Sequence, residues 1–151
     1  MHIHRRNIIK ACAVIPILLK VGFITSAQAA KWNKKAFQAK SLAEVLNALG
    51  GSAASTTEKI NLIAPEIAEN GAVVGISVES KIPNTKKIAI LVEKNPQMTA
   101  GIFTFTEDSE PFVGVNIKMQ QTSNITALAL ADGKWSSTTK EVKVTLSGCG
   151  G

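Results

Sequence analysis

The sequence is poor in several residue types on which protein chemistry commonly relies. It has no tyrosine, two tryptophans and five phenylalanines, and only two histidines and two cysteines among 151 residues. With so few aromatic rings, any core must rest on valine, isoleucine, leucine and alanine. His2, His4 and Cys12 all lie close to the N-terminus. Beyond Cys12 the chain has no histidine and a single cysteine, Cys149. That remainder cannot build a Ser-His or Cys-His nucleophile pair. It cannot supply a zinc site of the usual Cys/His kind, nor an internal disulfide. No metal, no cofactor and no catalytic residue are expected. Nor is there an excess of one charge. The formal net charge is +6, but residues 1–30 carry Arg5, Arg6, Lys10 and Lys20 and no acid. The rest is nearly neutral, with scattered lysines, so nucleic acid is not an expected partner.

The N-terminal thirty residues read as an address. A basic start is followed by an apolar stretch and then Ala27-Gln28-Ala29, the layout of a secretory signal peptide. Arg5-Arg6 followed by Asn7-Ile8-Ile9-Lys10 is similar to a twin-arginine export signal. Pro16 and Lys20 interrupt the apolar stretch, which is too short and broken to span a bilayer stably. A membrane-anchoring helix is the competing reading, and an N-terminus at Met1 in the exported protein would favour it. Lipidation at Cys12 is disfavoured by Lys10 and by the apolar run that follows the cysteine. The expected location is the periplasm, reached by the twin-arginine route, with no stable membrane insertion after processing. The oxidising compartment makes a lone thiol worth explaining: it pairs between molecules or it reacts.

Residues 31–58 are expected to form a helix and then a linker. Ser41 and Glu44 make a capping-box pattern. Leu42, Val45, Leu46 and Leu49 recur at helical spacing, and Gly50-Gly51 stops the run. The apolar stripe packs on the domain or on a partner. The polar stretch at 52–58 reads as a linker.

From Lys59 the period changes to two. Short alternating runs follow at 59–65, 72–80, 87–94, 101–107, 112–119, 125–131 and 141–146. Turn signals separate them, among them Glu69-Asn70-Gly71, Pro83-Asn84, Asn95-Pro96, Glu110-Pro111 and Asp132-Gly133. Seven strands without intervening helices predict an all-β antiparallel sandwich over 59–146. Trp135 reads more readily as core or edge packing than as a surface anchor.

Beyond the last strand come Ser147, Gly148, Cys149, Gly150 and Gly151. Five residues reach roughly 17 Å when extended. Glycine on both sides of the cysteine leaves the backbone free and removes bulk. The segment 147–151 therefore reads as a flexible C-terminal arm that carries one nucleophile into a narrow channel of another protein. No fixed positive partner is visible in the sequence, so the thiol is expected near its reference pKa of about 8.5. An incidental cysteine in a tail and a disulfide between two copies are the plainer readings. The terminal Gly-Gly is similar to the ending of ubiquitin-like sulfur carriers, but their activation in the cytoplasm conflicts with an export signal.

Five stretches, 64–74, 88–96, 110–119, 122–134 and 140–151, together resemble the SoxY family of bacterial thiosulfate oxidation, over about the whole of 59–151. The tail is the most specific part. The family ends in Gly-Gly-Cys-Gly-Gly, and this chain has Ser147 in the first position. The stretch from Asn95 to Phe103 also departs from the family's more proline-rich pattern. The resemblance implies an immunoglobulin-like sandwich that pairs with SoxZ. It implies a carrier and not an enzyme, with Cys149 as the covalent attachment point and Gly148, Gly150 and Gly151 as the arm. SoxAX would join thiosulfate to the thiol, SoxB would release sulfate, and a sulfane dehydrogenase would act on the remaining sulfur.

Overall fold

The computed structural model describes residues 33–145. Among these residues two helices precede nine strands. They are α1 (Lys34–Gln38), α2 (Leu42–Ala48), β1 (Ala54–Thr56), β2 (Ile60–Ile63), β3 (Ile67–Ala68), β4 (Val74–Ser80), β5 (Thr85–Val92), β6 (Thr99–Thr104), β7 (Phe112–Ile117), β8 (Ser123–Ala131) and β9 (Lys134–Val144). One sheet runs β1-β9-β8-β5-β6, with β3 also on β9, and the other runs β2-β4-β7. The expected antiparallel sandwich is what forms, apart from β1 and β3, which join β9 in parallel.

Alternation places the core. β4 buries Val74, Ile76 and Val78 and turns Gly75, Ser77 and Glu79 outward. These meet Ile88, Ile90 and Val92 of β5 and Ile125, Ala127 and Ala129 of β8 across the sandwich. The two apolar faces cover each other because each sheet has only one such face to hide from water. β5 is the exception, since it is buried on both sides. Its Ala89 and Leu91 join Leu128 and Trp135 in a second cluster, which Ala39, Val45 and Leu46 close from above. The helices therefore belong to this domain as a third layer. The expected stripe is only partly used: Val45 and Leu46 are buried, Leu49 packs partly, and Leu42 stays 39% exposed.

Local chemistry fixes that layer. Ser41 Oγ accepts the Glu44 amide at 3.2 Å, and Glu44 Oε2 accepts the Lys40 amide at 2.8 Å. At the other end the Gly51 amide reaches the Leu46 carbonyl at 2.8 Å, and the Gly50 amide reaches Asn47 at 3.1 Å. Gly50 has φ +82°, so this is a Schellman ending of α2. Gly51 serves a second purpose, because a Cβ there would run into the indole of Trp135. Thr99 Oγ1 donates to the Ala36 carbonyl at 2.7 Å and ties α1 to β6.

Two expectations need correction. The stretch 52–58 is not merely a linker: Ala54–Thr56 forms β1, in register with Trp135–Ser137 of β9. The last strand does not begin at 141. Asp132 (φ 49°) and Gly133 (φ 75°) form a tight turn that sets Ala131 opposite Lys134, and pairing then continues to Ser123 opposite Val142. A two-residue turn leaves β9 no choice but to start at once, although its first half is polar.

Candidate functional site

Arg5, Arg6, Ser147, Gly148, Cys149, Gly150 and Gly151 lie outside the described residues. What the structure does define is the root from which the C-terminal segment departs. β9 is gripped there from two sides. On one side the Lys143 amide donates to Glu66 at 2.9 Å and the Thr145 amide to Ala68 at 3.1 Å. Earlier along the strand, Lys140 Nζ donates to the Ala64 carbonyl at 2.6 Å. On the other side the Val144 amide donates to Thr122 Oγ1 at 3.0 Å. The strand's last residues are thus pinned by backbone and side-chain acceptors up to Thr145. β3 exists for this purpose: its two residues pair with Lys143 and Val144.

A further brace runs through Gly71. The Met119 amide donates to the Gly71 carbonyl at 2.7 Å. A Cβ on Gly71 would collide with the Met119 carbonyl oxygen and lie 2.9 Å from Val144 Cγ1. Asn70 Oδ1 accepts the Ala72 amide at 2.9 Å and shapes the turn that allows this approach. The 95–103 stretch, where the sequence departs from the family's pattern, is also anchored here. Asn95 Nδ2 donates to the Lys118 carbonyl at 2.6 Å, and its Oδ1 accepts the Gln120 amide at 3.2 Å.

The root lies at one end of the sandwich, and the Asp132-Gly133 hairpin at the other. Cys149 lies four positions beyond Thr145 in the sequence, a span of at most roughly 13 Å at full extension. β9 itself, from Lys134 to Val144, runs roughly 36 Å at the usual rise per residue. A cavity of about 680 Å³ lies at the hairpin end, lined by Ser80, Ile82, Asn84, Phe105 and Asp132. A second cavity of about 430 Å³ opens between β6 and β7 and includes Asn95, Lys118 and Gln120 at its rim. Those rim residues adjoin the loop that holds Val144. No cluster of three or more metal-ligating side chains occurs among the described residues.

The sequence reasoning missed Thr122, Ala68 and Gly71 as parts of this root. Only the Asn70-Gly71 turn signal could have pointed to one of them. The partnership of β3 with β9 has no periodic signature.

Fold and root together define a small β-sandwich whose last strand is locked in place just before a cysteine-bearing C-terminus. The family model for "Sulfur oxidation protein SoxY" matches residues 45–149, and the chain belongs to the SoxY family. Among solved structures, the chain is similar to the sulfur carrier protein SoxY from Chlorobium limicola f thiosulfatophilum. Identity is 31%, coverage is 66% of this chain and 93% of that one, and the TM-score is 0.59. A superoxide reductase (neelaredoxin) from Ignicoccus hospitalis is similar in fold alone, at 20% identity over 58% of this chain and 80% of that one, with a TM-score of 0.52. No curated protein sequence matches the chain.

Proposed function

We propose that the protein is an exported, non-catalytic sulfur carrier that holds thiosulfate-derived sulfur on Cys149. The observation that carries the proposal is the single thiol in a Ser147-Gly148-Cys149-Gly150-Gly151 ending, directly beyond a strand end pinned through Thr145. Membership of the SoxY family supports it, since the family match extends to residue 149. The relative's description as a sulfur carrier protein supports it too. The strand order fits the immunoglobulin-like assignment. Arg5-Arg6 supports export to the periplasm by the twin-arginine route.

In the proposed cycle the Cys149 thiol and thiosulfate form Cys–S–S–SO3⁻, releasing one proton and two electrons. The electrons pass to the haem partner SoxAX. Water then cleaves the bond to the terminal sulfonate under SoxB, leaving a persulfide on Cys149 and releasing sulfate. A sulfane dehydrogenase acts on the persulfide sulfur. The chain beyond Cys12 contains no histidine, so it has no side chain that ordinarily shuttles protons near neutral pH. Partner enzymes supply that chemistry, and SoxZ is the stable companion. Tethering keeps the cargo at a high effective concentration for successive partners.

The test is intact-mass and peptide mapping after incubation with thiosulfate and SoxAX. The adduct is expected on Cys149 alone and absent from Cys149→Ser, whose circular dichroism should match the wild type. Turnover by the Cys149→Ser protein in a reconstituted system would overturn the carrier role. A thiol found only as a disulfide between copies, with function kept when that link is replaced, would favour an adaptor instead.

A further inference from the structure

One turn that stands out in the sequence has a chemistry that sulfur carriage does not use. Asn70-Gly71 is the single asparagine-glycine pair of the chain. The side-chain amide carbon of an asparagine can be attacked by the backbone nitrogen of the next residue, which closes a succinimide ring. That next residue decides how easily the ring closes, because its side chain crowds the approach, and glycine has none. The other described asparagines are shielded. Asn61, Asn116 and Asn124 lie in strands and precede leucine or isoleucine. Asn84 precedes β-branched Thr85, and Asn95 precedes Pro96, which has no amide to offer. Asn33 caps α1 through its side chain, and Asn47 lies within α2.

The fold presents Asn70 for this reaction. The residue lies between β3 and β4, outside every described strand, and it is exposed to water. Its Oδ1 accepts the Ala72 amide at 2.9 Å. That bond folds the side-chain carbonyl back over Gly71, the residue whose nitrogen must reach it. The same bond polarises the carbonyl and stands where negative charge grows on Oδ1 as the ring closes. The backbone bond across the turn, from the Val73 amide to the Asn70 carbonyl, is 3.3 Å long. A bond of that length yields readily to the rotation that ring closure needs.

We propose that Asn70 is a site of spontaneous deamidation whose isoaspartate product undoes the brace at the end of β9. The Gly71 nitrogen gives its proton to water and bonds to Asn70 Cγ, the Cγ–Nδ2 bond breaks, and ammonia leaves. Water then opens the succinimide. Attack at the side-chain carbonyl yields aspartate, and attack at the backbone carbonyl yields isoaspartate. The sum is a water consumed and an ammonia released, with no electrons transferred. The two products act differently on the domain. Aspartate keeps the backbone path and keeps an oxygen for the Ala72 amide. Isoaspartate routes the backbone through the side-chain methylene, lengthens the turn and converts the Asn70 carbonyl into a free carboxylate. Gly71 has no room for that shift. Its carbonyl holds the Met119 amide at 2.7 Å, and a Cβ on it would strike the Met119 carbonyl oxygen and lie 2.9 Å from Val144 Cγ1. Isoaspartate therefore releases Met119 and loosens the turn against Val144, whereas aspartate leaves both in place. None of this depends on the role of Cys149.

The test is incubation of the full chain in warm, mildly alkaline buffer beside a synthetic peptide spanning residues 66–75, followed by peptide mapping by mass. Asn70 is expected to show the mass gain of an amide-to-acid exchange, at least as fast in the folded chain as in the peptide. The other described asparagines should be unchanged over the same time. Isoaspartyl methyltransferase should label the aged wild type and leave an aged Asn70→Ser protein unlabelled. In the purified isoaspartate form the Met119 amide should exchange with solvent about tenfold faster or more, while in Asn70→Asp it should exchange as in the wild type. Slower reaction of Asn70 in the folded chain than in the peptide would overturn the inference, as would earlier reaction at another asparagine. So would an isoaspartate form whose Met119 amide stays as protected as in the wild type. Cys149→Ser should age like the wild type even if the carrier role fails.

Discussion

Replacing Gly71 with alanine should damage the root of the C-terminal segment without touching the thiol. Gly71 is not in the left-handed region, so alanine can adopt its backbone angles and the cost is one of space alone. The new methyl would overlap the Met119 carbonyl oxygen and crowd Val144 Cγ1 at 2.9 Å. Neither neighbour yields easily. Met119 is 1% exposed, and its amide is held by Gly71 itself at 2.7 Å. Relief requires the 69–72 turn to move away from residue 119, which loses that hydrogen bond at about 1 kcal/mol. Overpacking adds about 1–3 kcal/mol. The expected loss is about 3 kcal/mol, or a fall in melting temperature of about 10 °C for a domain of this size. Thermal unfolding followed by circular dichroism measures it. Gly75→Ala is the internal control: its new methyl meets only the exposed, rotatable Asn116 side chain at 3.3 Å, so it should stay within about 0.5 kcal/mol of the wild type. A Gly71→Ala protein that melts within about 2 °C of the wild type would refute the tight brace between the 69–72 turn, Met119 and β9.

The helical layer offers two further checks by the same assay. Gly51→Ala should destabilise by about 1–3 kcal/mol, since its methyl would strike Trp135 Cδ1 and lie 2.7 Å from Nε1; an unchanged melting temperature would mean the indole does not pack there. Thr99→Val keeps the shape but strands the Ala36 carbonyl, which now accepts from Thr99 Oγ1 at 2.7 Å, and should cost about 1–2 kcal/mol; a neutral result would detach α1 from β6.

The legible parts of the fold were those written in a short period. The alternating runs became β2 and β4 to β8 because each apolar side chain sits two residues from the next, and a strand turns such a set to one face. The Ser41-Glu44 box and Gly50-Gly51 were legible because capping is local chemistry. What could not be read is non-local. Trp135–Lys140 is polar in all but one position and carries no alternation. It becomes strand only because a tight turn lays it beside β8. β1 and β3 are held by β9 from a distance in sequence. The continuous apolar run from Ile88 to Val92 reflects a strand covered on both faces, a state that alternation cannot signal. The site divides in the same way. Cys149 stood out by being the only thiol beyond Cys12. The residues that pin the end of β9, Thr122 and Ala68, are ordinary ones whose importance comes from where that strand ends.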